Sequence, residues 1–114
     1  MISAGDILVF RFPQSNLIEG KLRPALVIKK IEGDFDDWLV CMISTQIRHK
    51  VEGLEVILSE SVKGFSHTGL KKESLIRTSR LAVVHSDIFE GRLGYLSSET
   101  FETVRILLSE WIRK

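Results

Sequence analysis

Arg23-Pro24-Ala25-Leu26-Val27-Ile28 is a strand that carries its own start signal. A proline ring drives the residue before it out of the helical region and into an extended conformation. Proline is tolerated at the first residue of a strand, where a missing N–H does least harm. Four apolar residues then follow without interruption, so Arg23 is expected at the entrance of a buried strand. Upstream lies a second extended run, Gly5-Asp6-Ile7-Leu8-Val9-Phe10, and downstream a third ends in Cys41-Met42-Ile43-Ser44-Thr45-Gln46. Ser44 and Thr45 should therefore emerge at a strand end. A planar cation facing hydroxyl groups is a combination suited to holding a phosphodiester.

Further extended runs surround this stretch. Strands are expected over Asp6 to Phe12, Ala25 to Lys30, Trp38 to Ile43, Leu54 to Leu58, Ser74 to Val84 and Arg92 to Leu96. The breakers between them are Pro13 through Gly20, Glu32-Gly33-Asp34 and Glu52-Gly53. After Leu96 the period changes. Ser97 can cap a helix with Glu99 in its first turn, and Phe101, Val104, Leu108, Trp111 and Ile112 recur at helical spacing. The expected fold is mostly β with a C-terminal helix: five to seven short strands in a small closed or half-closed barrel, and a helix whose buried face includes Trp111.

The 114 residues are expected to form a single domain over 1–114, because a chain of this length buries roughly two-thirds of its unfolded surface. No internal repeat or linker interrupts it. Cys41 is the only cysteine, which excludes a disulfide framework, and between Val40 and Met42 it reads as a small buried apolar residue. No spacing of His, Cys and acids resembles a metal site, and no glycine loop cradles a nucleotide, so neither metal nor organic cofactor is expected. His49, His67 and His85 carry no nucleophile motif. No signal-like or membrane-spanning apolar run is present, so a cytoplasmic, soluble protein without membrane association is expected. The net charge is only +1, but Lys63, Lys71, Lys72, Arg77 and Arg80 face a single Glu73 between Ser61 and Leu81. That stretch is either a solvated loop or a surface for an anionic ligand.

Taken in order, these segments resemble the MazF/PemK-like toxins of bacterial toxin–antitoxin pairs, closest to the PemK-like branch. The resemblance runs through Gly5-Asp6-Ile7-Leu8-Val9, Phe12-Pro13, Arg23 to Ile28, Met42-Ile43-Ser44-Thr45, Gly69-Leu70-Lys71-Lys72-Glu73-Ser74 and Leu93-Gly94-Tyr95-Leu96-Ser97. It implies an SH3-like β-barrel of the MazF/PemK/CcdB toxin type, paired into a homodimer and covered by a cognate antitoxin. It also implies metal-independent endoribonuclease activity on single-stranded RNA, with the RNA's 2′-hydroxyl as nucleophile and a 2′,3′-cyclic phosphate as product. By resemblance Arg23 is the functional arginine, and Ser44, with Thr45 beside it, takes the place of the functional threonine. Gln14, Ser15, Lys21, Gln46, Lys71 and Lys72 are the candidate RNA-binding residues. His85 stands where many relatives have aspartate.

Other readings stay open at this level. Arg23 could pair with Glu19 or Asp6, and Ser44 and Thr45 could be ordinary strand-end hydroxyls. The same fold also serves toxins that bind DNA gyrase without nuclease chemistry, through a C-terminal tryptophan motif. Trp111-Ile112-Arg113-Lys114 lacks that motif's glycine. An inactive relative kept for binding is the third reading.

Overall fold

Four consecutive residues, Ala25 to Ile28, are buried in the second strand, which means that both faces of the sheet are covered there. The computed structural model describes residues 1–11 and 21–114. Its strands are β1 (Asp6–Arg11), β2 (Leu22–Lys30), β3 (Asp37–Ser44), β4 (Val56–Leu58), β5 (Ser74–His85) and β6 (Gly91–Tyr95), followed by helix α1 (Ser98–Arg113). They form one antiparallel sheet in the order β4-β5-β3-β2-β1-β6. The sheet curls into a half-barrel. Within the described residues each strand run read from the sequence falls on an observed strand, Phe12 and the breaker from Pro13 to Gly20 lying outside them, and the helix begins where Ser97 was expected to cap it. Ser97 Oγ accepts the Thr100 N–H at 3.3 Å. Pro24 is the third residue of β2 rather than the first, but the ladder to β3 begins only at Ala25.

Two apolar cores follow from the alternation of side chains across the sheet. On one face Ile7, Leu26, Ile28, Cys41, Ile43 and Ile76 pack with Val104 and Leu108 of α1. On the other, Leu8, Phe10, Ala25, Val27, Trp38 and Val40 form a separate cluster. Cys41 is fully buried, and desolvation, with the charge of Glu55 adding to it, pushes its thiol up to about 12. It is a packing residue.

The helix departs from expectation at its end. Phe101, Val104 and Leu108 face the sheet, but Trp111 and Ile112 are 46% and 64% exposed. The apolar stripe continues in sequence, yet the last turn of α1 has run clear of the surface it would cover.

The two edges of the half-barrel approach each other through the chain after β4. There a short 3-10 helix, Phe65–Thr68, lies against β6. A Cβ at Gly69 would fall on the Leu93 carbonyl oxygen, and one at Gly94 would fall on that of His67. Only glycine permits backbones this close.

Candidate functional site

Arg23 and Ser44 belong to adjacent strands and to one face. Ala25 pairs with Met42 across β2 and β3, and Arg23 and Ser44 each lie two residues beyond that pair along their own strands. Since side chains alternate with period two, both project from the face that holds Phe10, Ala25 and Val40. Phe10 pairs with Arg23 across β1 and β2 and is itself buried, giving the exposed arginine a rigid base.

A concavity of about 260 Å³ opens at this end of the sheet, lined by Arg23, Met42, Ile43, Ser44, Arg77 and Arg80. Among the described residues three cations and no acid line it. Among the described residues no side-chain hydrogen bond or ion pair engages Arg23 or Arg80. Asp6, one of the two acids considered as a partner for Arg23, instead accepts Arg92 at 3.1 Å and the Ser3 N–H at 2.9 Å. Glu19 lies outside the described residues. A larger groove of about 550 Å³ between β4 and the start of α1 contains neither Arg23 nor Ser44.

The two hydroxyl candidates part company here. Ser44 Oγ accepts the Gln46 N–H at 3.0 Å, a local turn that fixes the oxygen and leaves its own proton to donate. Thr45 is exposed, does not line the concavity, and is held by its carbonyl, which accepts the Ile47 N–H at 3.0 Å. Lys21 and Gln46 are exposed beside Arg23 and Ser44 in sequence, but outside the lining. Lys71 and Lys72 sit exposed in the turn before β5, at the end of the sheet where Ser44 pairs with Leu75. Gln14 and Ser15 lie outside the described residues.

Arg77 and Arg80 were not assigned to the site from sequence; the only sign of them was the basic bias between Ser61 and Leu81. Their placement comes from β5. Arg77 pairs with Met42 and Leu81 pairs with Cys41, so residues 78–80 have no partner in β3. This bulge turns inward. The Thr78 hydroxyl donates to the Leu54 carbonyl, and the Ser79 hydroxyl donates to the Glu55 carboxylate. Glu55 also accepts the Val51 N–H at 3.0 Å and Arg77 Nε–H at 3.2 Å. Burial alone would raise its pKa, but the Ser79 hydroxyl, the Val51 N–H and the Arg77 charge together outweigh it and hold the carboxyl below the usual range.

The remaining histidines lie outside the concavity. His67 stacks on Tyr95 with ring centroids 5.2 Å apart. His85 sits at the far end of β5, paired with Asp37, and its Nδ1 accepts the Asp87 N–H at 3.1 Å. His49 contributes its backbone carbonyl, which accepts from Arg77 at 3.4 Å. Among the described residues no group of His, Cys, Asp and Glu could hold a metal ion, and no helix is long and apolar enough to cross a membrane.

Comparison with known proteins finds the same fold over nearly the whole chain. The toxin MazF-mt6 of Mycobacterium tuberculosis is 15% identical, with a TM-score of 0.70 over 95% of this chain and 96% of that one. An endoribonuclease solved with its cognate antitoxin from a mycobacterial species is 11% identical, with a TM-score of 0.70 over 98% and 95%. The MazE–MazF complex of Deinococcus radiodurans gives 15% identity and a TM-score of 0.67 over 97% and 94%. These likenesses establish the fold. No curated protein sequence matches the chain. The family model for PemK-like, MazF-like toxins of type II toxin–antitoxin systems matches residues 3–112, and the chain belongs to that family.

Proposed function

We propose that this toxin is a metal-independent endoribonuclease acting on single-stranded RNA, and that Arg23 and Ser44 are its catalytic residues. One observation carries the reading: Arg23 and Ser44 line the same concavity from adjacent strands. In the reaction the 2′-oxygen attacks phosphorus while the P–O5′ bond breaks. The 2′-hydroxyl gives up its proton and O5′ gains one, leaving a 2′,3′-cyclic phosphate and a 5′-hydroxyl. Negative charge builds on the non-bridging oxygens as the fifth P–O contact forms. A guanidinium already in place stabilises that charge more than it stabilises the ground state. The guanidinium serves here as a charge and donor rather than a base. Ser44, its oxygen fixed by the Gln46 N–H, donates its proton to the same phosphate oxygens.

The cationic lining also suits the acidic or extended tail of an antitoxin, which would inhibit by occupying the RNA's place. A cognate antitoxin and a homodimeric toxin are part of this reading. The similar endoribonuclease solved with its cognate antitoxin supports the antitoxin part of it.

One observation favours a second reading. Trp111 is half exposed rather than packed, so a protein-binding toxin of the same fold, directed at DNA gyrase, has a side chain to use. Incubating the purified protein with mixed RNA and mapping the ends separates the two. Defined cuts ending in a cyclic phosphate support the nuclease; intact RNA together with inhibited gyrase overturns it in favour of the second.

A further inference from the structure

We infer that Met42 is a peroxide-sensitive site, and that its oxidation to the sulfoxide closes the concavity to RNA. The second half of the inference rests on the RNA-binding reading; the first does not. Sulfur enters this chain only through Met1, Cys41 and Met42. Met1 is fully exposed and does not line the concavity. Cys41 is fully buried with its thiol pushed up to about 12, so it is shielded and stays protonated. Met42, next along β3, belongs to the opposite face of the sheet. It is half-buried, packs against the second apolar cluster and lines the concavity with Arg23, Ser44 and Arg80. A thioether has no proton to lose, so its lone pair is available at any pH.

Hydrogen peroxide is the oxidant. The sulfur lone pair attacks one peroxide oxygen as the O–O bond breaks. Hydroxide leaves with the bonding pair and takes up the proton of the transferred oxygen. Sulfur is oxidised, the peroxide is reduced by the same electron pair, and the products are the sulfoxide and water. Negative charge builds on the departing oxygen, and the guanidinium groups of the lining stabilise it. The new oxygen has one favourable place. Towards the apolar cluster it would be a buried acceptor without a donor. Towards the concavity it meets Arg23 and Arg80, whose side chains have no partner among the described residues. A sulfoxide held there takes donors that a phosphate oxygen would use, and it fills part of a space of only about 260 Å³. Sulfoxide reductases undo the step, so the block is reversible.

The test treats the whole protein with hydrogen peroxide and maps its peptides by mass spectrometry, with Met1 as internal standard. Because Met42 lines an open concavity, it should gain one oxygen in the folded protein at a rate within about tenfold of Met1. Binding is read by fluorescence anisotropy with a mixed-sequence single-stranded oligoribonucleotide, 2′-O-methylated throughout so that it cannot be cut. Oxidation should raise its Kd by about tenfold, the loss of a charge-assisted contact. Methionine sulfoxide reductase should restore the original value. Met42→Leu, compared with its own untreated form, should keep its Kd through the same treatment; an equal rise there overturns the inference. Circular dichroism should show the oxidised protein still folded. Met42 left intact while Met1 is oxidised overturns the inference, and so does oxidation that unfolds the protein. RNA binding unchanged after full oxidation of Met42 also overturns it, with the RNA reading left in place. An untreated protein that does not bind the probe removes the RNA reading and the block together, whatever the peptide map shows.

Discussion

Glu55, fully shielded in its side chain, accepts Nε–H of Arg77 at 3.2 Å while also taking the Ser79 hydroxyl and the Val51 N–H. Burial pushes this carboxyl up, but the three partners win and its folded-state pKa lies below the ordinary glutamate value of 4.5. A carboxyl depressed by folding contributes stability above its unfolded pKa and loses it as the pH falls through the folded one. Chemical denaturation across a pH series should therefore show stability declining from near 4.5 downward. Glu55→Gln should flatten that decline, and an unchanged acid limb would assign the loss to other groups. Glu55→Ala, which leaves Arg77 and Ser79 without their acceptor, should cost about 3–5 kcal/mol.

Arg23→Ala should abolish RNA cleavage, by about 10²–10³ or more in kcat, with the unfolding midpoint unchanged. The side chain is exposed and has no partner among the described residues, so folding loses nothing with it. Cleavage of a defined RNA, beside a thermal melt, checks both halves. An Arg23→Ala protein that cuts at the wild-type rate removes the assignment.

Ser44 and Thr45 should respond unequally. Ser44→Ala deletes the hydroxyl that lines the concavity and should lower kcat by about 10². Thr45→Ala deletes an exposed hydroxyl whose residue is held through its carbonyl, and should leave kcat near wild type. The reverse ranking, measured on one RNA under single-turnover conditions, would shift the functional hydroxyl by one residue.

Leu108 and Trp111, one turn apart on α1, should also differ. Leu108 is 6% exposed, and Leu108→Ala should cost about 2–5 kcal/mol. Trp111→Ala removes a larger side chain from a half-solvated position and should cost well under half of that. Urea unfolding of the two variants decides it.

Strand positions were legible because the apolar runs are continuous and bounded by glycine and proline, and Ser97 announced the helix. Where a helix outruns its sheet is not written in its period: Phe101 to Ile112 repeat correctly whether or not a surface lies beneath the last turn. For the site, Arg23 and Ser44 could be found because each sits at a strand end with a local signal, a following proline or a preceding apolar run. Arg77 could not, since it faces the concavity only through its register with Met42 and a bulge that aligns Glu55 with Ser79. Both are relations between residues more than twenty positions apart in sequence, and no local pattern encodes them.

Gly69 and Gly94 bring the 3-10 segment and β6 together main chain against main chain, with no side chain between them. The half-barrel's seam therefore has nothing to trim or repack. A methyl group added at either position has no rotamer to escape into, so the walls must part. Side chains on the concave face can be exchanged one at a time, but these two points of the seam admit only glycine.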